Sequence, residues 1–148
     1  MNVQNILCPI DYSEYSNAIL EYASKLAKET DAELHIIHVF DDTTPYENGM
    51  GIPTLSAADI QEQKQALEKV VPKDKGVRYV HQLVRGWPSD GILHYCENNP
   101  IDLIVMGTHG RKGVSRMLMG SVAEAVMRRA DCPVLTIRAP IKTLEKSM

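Results

Sequence analysis

Short, uninterrupted apolar runs alternate along this chain with longer segments whose apolar residues recur at helical spacing, and this alternation constrains the fold more than any other feature. The runs are NILCPI (Asn5 to Ile10), ELHIIHV (Glu33 to Val39), VRYVHQLV (Val77 to Val84), DLIVMG (Asp102 to Gly107) and PVLTIR (Pro133 to Arg138). Each is rich in Val, Ile or Leu, as expected of strands covered on both faces in a parallel sheet. Between the first two, Ala18, Ile19, Tyr22, Ala23, Leu26 and Ala27 form one stripe with Glu21, Lys25 and Lys28 opposite, which predicts an amphipathic crossover helix. A second helix is predicted from about Ser56 to Val71, stopped by Pro72. A third runs from about Pro88 through Ile92, Leu93 and Cys96 to the Asn98-Asn99-Pro100 breaker, and a last begins near Ser121. Right-handed crossovers joining such units give an α/β fold, an open, doubly wound, five-stranded parallel sheet.

A length of 148 residues suits one domain spanning 1–148, with a polar, frayed tail from Ala139 to Met148. Asp41 to Thr54, DDTTPYENGMGIPT, interrupts the rhythm and is predicted to be a long loop. Its Gly49-Met50-Gly51 does not join a strand to a helix, so it carries no dinucleotide fingerprint. The net charge of -3 gives no reason to expect nucleic acid or an anionic membrane as partner. No run approaches the roughly 20 apolar residues of a membrane span, and MNVQNILCPID lacks the features of a signal peptide, so a cytoplasmic location is expected. Cys8, Cys96 and Cys132 are widely spaced without a CxxC pair and read as buried small hydrophobes, the alternative being a reactive thiol.

Ligands of open α/β sheets bind beyond the carboxyl ends of the strands, where the winding reverses. The first strand ends at Pro9-Ile10-Asp11; the fourth ends at Met106-Gly107 and runs into Gly110, Gly113 and Gly120-Ser121. With strand order 3-2-1-4-5 these two ends are neighbours. A phosphate needs convergent N–H donors and close backbone approach, which favours glycines and a helix N-terminus. Gly107 and Gly110 suit a turn after the fourth strand, Gly120 and Ser121 the opening of the last helix, and Arg111, Lys112 and Arg116 add positive charge. His109, inside the same segment, offers an imidazole to an oxygen or points to water. The structural alternative is that Ser121 and Glu124 form an S-x-x-E capping box and the glycines merely allow a compact loop. Both can hold together, since a serine can accept a capping bond and donate its hydroxyl proton to phosphate.

The pattern Gly107-x2-Gly110-x9-Gly120-Ser121 resembles the ATP-binding signature of universal stress proteins. ILCPIDYSEYSNAIL near the start, Gly86-x-Pro88 after the third strand and DLIVMGTHGRKGVSRMLMGSVAEAVMRRADCPVLTIR near the end are similar to the same family, so the likeness covers nearly the whole chain. The resemblance implies a Rossmann-like, adenine nucleotide alpha hydrolase-like fold. It also implies that Asp11, with backbone groups near Pro9 and Val39, holds adenosine while the glycine loop holds the phosphates. Together with Met106 and Val122 flanking that loop, the candidate nucleotide-contacting set is Pro9, Asp11, Val39, Met106, Gly107, His109, Gly110, Arg111, Gly120, Ser121 and Val122. Without the likeness, Asp11 reads as a helix-start residue ahead of Ser13 and Val39 as plain strand core.

The expected activity is ATP binding, with Mg or Mn, in a regulatory stress response with at most slow hydrolysis. No Walker A motif and no SGGxDS loop is present, and His35, His38, His81 and His94 make no recognisable ligand set or general base. No catalytic residue is assigned. Trp87 is expected to pack at the start of the third helix rather than stack on a base. The alternatives are a nucleotide-independent protein-interaction module of the same fold, or a true nucleotide hydrolase or adenylyl-transferring enzyme. Pro133 to Arg138, at a sheet edge, is expected to pair with a second copy as a homodimer unless the polar tail covers it.

Overall fold

The computed structural model describes residues 2–40, 56–108 and 120–138. In chain order these form β1 (Asn5–Pro9), α1 (Glu14–Thr30), β2 (Glu33–Phe40), α2 (Ala57–Glu68), β3 (Tyr79–Arg85), α3 (Pro88–Asn98), β4 (Leu103–Gly107), α4 (Ser121–Arg129) and β5 (Val134–Ile137). The strands make one parallel sheet in the order β3-β2-β1-β4-β5. The Rossmann-like α/β architecture and the strand order are those expected from the sequence. The segments 41–55, which holds the predicted Asp41 to Thr54 loop, and 139–148, the predicted tail, lie outside the described residues.

The continuous apolar runs are explained by what each strand face meets. Successive side chains of a strand point to opposite faces. Ile6 and Cys8 of β1, Leu34 and Ile36 of β2 and Val105 of β4 therefore pack under α1 and α2, against Ile19, Ala23, Ala27 and Leu67. Leu7, Ile37, Ile104 and Met106 face the other way, against Ile92 and Tyr95 of α3 and Ala123 and Val126 of α4. Nearly all of these side chains are sealed from solvent, and burying each large one contributes roughly 1.5–3 kcal/mol. The sheet is thus a wall between two cores.

Helix boundaries follow local chemistry. Ser13 caps α1, its Oγ accepting from the Ser16 amide at 3.0 Å, and Asp31 ends it in the left-handed conformation with φ of 55°. α2 opens with a capping box in which Ser56 and Asp59 satisfy each other's backbone. It stops at Glu68, short of the predicted Val71, and buries only Leu67. Two expectations are corrected. The buried face of α1 turns through Ser16, Ile19, Leu20, Ala23, Ser24 and Ala27, leaving Tyr22 exposed. Trp87 does stand at the start of α3, as its N-cap, but it is 59% exposed and so is not a packing residue.

Candidate functional site

The pairing between β1 and β4 comprises Ile6↔Leu103 and Leu7↔Ile104, so the two strands part before their carboxyl ends. The chain leaves β1 toward β2 and β3 on one side and returns through β4 toward β5 on the other, which makes this the point where the winding reverses. A cavity of about 660 Å³ opens there, within the roughly 300–1,000 Å³ of typical small-molecule sites. Pro9 and Asp11 from the end of β1, Val39 from β2, Met106 and Gly107 from β4, and Gly120, Ser121 and Val122 from the start of α4 all line it. The remaining sequence-predicted site residues, His109, Gly110 and Arg111, lie outside the described residues.

Asp11 is held in place by the turn that follows it. Tyr12 takes a φ of 65°, a conformation that costs a non-glycine residue roughly 1–2 kcal/mol, and this folds the chain back on itself. Asp11 Oδ1 then accepts from the Ser13 amide at 3.0 Å and from Ser13 Oγ at 2.6 Å. Ser13 in turn caps α1, so the carboxylate is tied to the first helix as the helix-start reading expected, while it also faces the cavity.

Sequence reasoning missed several lining residues, among them Tyr12, Tyr15, His38, Phe40, Gln63 and Thr108. His38 Nδ1 bonds the Ile10 carbonyl at 2.8 Å, which makes that nitrogen the protonated one, and its ring lies 4.4 Å from that of Tyr12. The Tyr12 hydroxyl is buried and has no hydrogen-bond partner among the described residues; desolvation raises its pKa above the usual phenol value. His38 had one legible signal, its place beside Val39 at the end of the second strand. Gln63 of α2 had none, because only long-range packing brings that helix to the cavity.

The glycines are placed by sterics as much as by any ligand. A Cβ on Gly107 would stand 2.5 Å from Tyr15 Cε1, and the Tyr15 hydroxyl donates to the Ile137 carbonyl. The Tyr15 ring therefore bridges α1 to β5 across the end of β4, and only a residue without a side chain lets it through. A Cβ on Gly91 of α3 would meet Val39 Cγ1 at 2.5 Å, so Gly91 sets how deeply Val39 sits. The Gly120 amide donates to the Thr108 carbonyl at 2.6 Å, and the Thr108 amide to the Ile137 carbonyl at 3.0 Å, which pins the start of α4 to the ends of β4 and β5.

The capping box proposed for Ser121 and Glu124 is corrected. Gly120 is the N-cap of α4, in an extended conformation and with no side-chain capping bond, and Ser121 is the first helical residue. Glu124 instead lies 3.5 Å from Arg128 one turn later. The first-turn amides of α4 have no intrahelical acceptor, carry the roughly +0.5 charge of a helix N-terminus, and border the cavity through Ser121, Val122 and Ala123. The cavity lining thus includes a carboxylate, uncapped N–H donors and apolar side chains. Such an arrangement suits a ligand that is anionic at one end and carries hydroxyls at the other.

Known proteins resemble this chain in sequence and in fold. Residues 2–138 match the universal stress protein family. The chain is 36% identical to universal stress protein MJ0531 of Methanocaldococcus jannaschii over 94% of its own length and 84% of that protein's. It superposes on universal stress protein UspA from Lactobacillus plantarum with a TM-score of 0.72 at 25% identity, covering 93% of this chain and 99% of the other. It shares its fold with the Archaeoglobus fulgidus universal stress protein solved in complex with dAMP, with a TM-score of 0.67, 23% identity and coverage of 93% and 99%. The chain belongs to the universal stress protein family.

Proposed function

We propose that this chain binds ATP in the cavity between β1 and β4, with the triphosphate at the N-terminus of α4 and the Gly107 to Ser121 loop and the adenosine against Pro9, Asp11 and Val39. The observation that carries the reading is the pairing of the Asp11 carboxylate with the uncapped first turn of α4 across one cavity of about 660 Å³. A ribose supplies hydroxyl donors to the carboxylate, and phosphate oxygens supply acceptors to the amides. The fold is compatible with such a ligand, since the Archaeoglobus protein holds dAMP. Magnesium or manganese bound with the nucleotide would offset the triphosphate charge. A stress-linked regulatory role in the cytoplasm, read out by occupancy rather than by fast turnover, belongs to this reading. Titration calorimetry with ATP and magnesium tests the reading: saturable binding that is lost in a Gly120→Val, Ser121→Ala variant is expected, and no binding heat from the folded wild type would overturn it.

The edge position of β5 supports a homodimer through Pro133 to Arg138. β5 pairs with β4 alone among the described strands, and Leu135 is 44% exposed, an apolar edge of the kind that recruits another chain. Light scattering at micromolar concentration should return the mass of two chains, and a monomer mass would refute this part.

A further inference from the structure

Two of the three cysteines, 36 positions apart in sequence, meet in the fold. Cys96 lies on α3 and Cys132 on the segment between α4 and β5, and both pack half-buried on the α3–α4 core. A small cavity of about 200 Å³, separate from the nucleotide cavity, is lined by both, with Leu93 and Ile101 as apolar wall and Arg129 and Asp131 among its polar lining. Cys8 cannot compete, being fully buried on the opposite side of the sheet under α1.

We propose that Cys96 and Cys132 form a redox-modification site that a hydroperoxide closes into an intramolecular disulfide. The cavity admits an oxidant the size of hydrogen peroxide, and both cysteines line it. In the first step the Cys132 sulfur attacks one peroxide oxygen; the O–O bond breaks, Cys132 becomes a sulfenic acid and water leaves. In the second the Cys96 sulfur attacks the Cys132 sulfur; the S–S bond forms, the S–O bond breaks, and the oxygen departs as water with the proton from Cys96. Two thiols and one peroxide thus give one disulfide and two waters. Either sulfur can attack first, because exchanging the roles of Cys96 and Cys132 changes neither the balance nor the product.

Burial pushes the Cys96 thiol up to about 12 and raises Cys132 as well, so both stay protonated near neutrality and the pair responds slowly. The carboxylates of Glu97, Asp102 and Asp131 reinforce that direction, and the Arg129 guanidinium on the cavity wall is engaged with Asp90 at 3.0 Å. The closing rate should therefore climb about tenfold per pH unit and show no plateau near the ordinary thiol value of about 8.5.

The test treats full-length protein with hydrogen peroxide, denatures it, blocks free thiols with iodoacetamide and weighs it. Reduced protein should take up three labels, one for each cysteine. Oxidised protein should take up one, on Cys8, and its peptide map should contain a Cys96–Cys132 cross-link, accompanied by an upward shift in Tm. Retention of three labels, a disulfide between two chains, or sulfinic acid on separate cysteines without the cross-link would each overturn the proposal. Cys132→Ala, checked for folding by circular dichroism, should lose the cross-link and the Tm shift together; the wild-type labelling decides the matter if that variant fails to fold.

Discussion

Gly107→Ala is expected to destabilise the protein even though the backbone there does not demand glycine. Among the described glycines only Gly86, with φ of 136°, lies in the left-handed region, so Gly107 could in backbone terms become alanine and gain roughly 0.4–1 kcal/mol from a less flexible unfolded state. Sterics oppose that gain. The added Cβ would lie 2.5 Å from Tyr15 Cε1, 3.1 Å from Cζ and 3.3 Å from Cδ1, and ordinary contact begins at 3.4 Å. The ring must therefore retreat by about 1 Å. It cannot retreat freely, because the Tyr15 hydroxyl is bonded to the Ile137 carbonyl and the ring packs against the α1 core. Overpacking of this kind costs about 1–3 kcal/mol, and losing the hydrogen bond adds about 0.5–1.5 kcal/mol. The net expectation is a loss of about 0.5–4 kcal/mol.

Urea unfolding followed by circular dichroism measures that loss, and a double-mutant cycle with Tyr15→Ala assigns its cause. With the ring removed, Gly107→Ala should become neutral or stabilising. An equal loss in both backgrounds, or no loss in the wild type, would refute the steric account and leave ligand approach as the reason for a glycine at this position.

Three further outcomes follow from named contacts. Gly91→Ala drives a methyl into Val39 and should cost about 1–3 kcal/mol in stability; ATP affinity measured by calorimetry should fall with it, because the displaced valine lines the cavity proposed for the nucleotide. His35 should make stability fall below pH 6.5. Burial disfavours its imidazolium more than Glu33, 3.5 Å away, favours it, so its folded pKa lies below the ordinary 6.5. The unfolded chain therefore takes up the proton first, and His35's contribution is whole above pH 6.5 and declines as pH drops toward the folded value. Urea midpoints that hold steady or rise from pH 7.5 to 5.5 in the wild type would contradict this, and His35→Asn should flatten the slope. Arg129→Ala, which breaks the contact with Asp90 between two half-exposed side chains, should change stability by under about 1 kcal/mol in the same assay.

The parts of this fold that were legible in the sequence are those set by burial on both sides of a strand. Ile6, Leu7 and Cys8 form one apolar run because alternate members feed two different cores, and the same holds for Ile36 with Ile37 and for Ile104 to Met106. Glycine and proline punctuation then located the strand ends that face each other at the cavity. What stayed hidden depends on contacts between distant segments. Tyr22 sits at a helical interval from Ala18 and Leu26, yet which edge of the stripe turns inward is decided by where α1 rests on the sheet. Ser121 and Glu124 have the spacing of a capping box, but the bond from Gly120 to Thr108 starts the helix one residue earlier than that motif requires.

Gly107 is the instructive case. Its place in a glycine pattern pointed to phosphate, whereas the described contacts explain it through an aromatic ring supplied from more than ninety positions away. The two explanations are not rivals. By admitting Tyr15, Gly107 lets that ring bridge to β5 through Ile137, whose carbonyl also receives the Thr108 amide, while the Thr108 carbonyl receives Gly120. The chain of contacts runs from α1 through β5 to the first turn of α4. A side chain at Gly107 would therefore disturb the donors proposed for phosphate without ever touching the nucleotide, and the Tyr15→Ala background separates that indirect effect from direct obstruction.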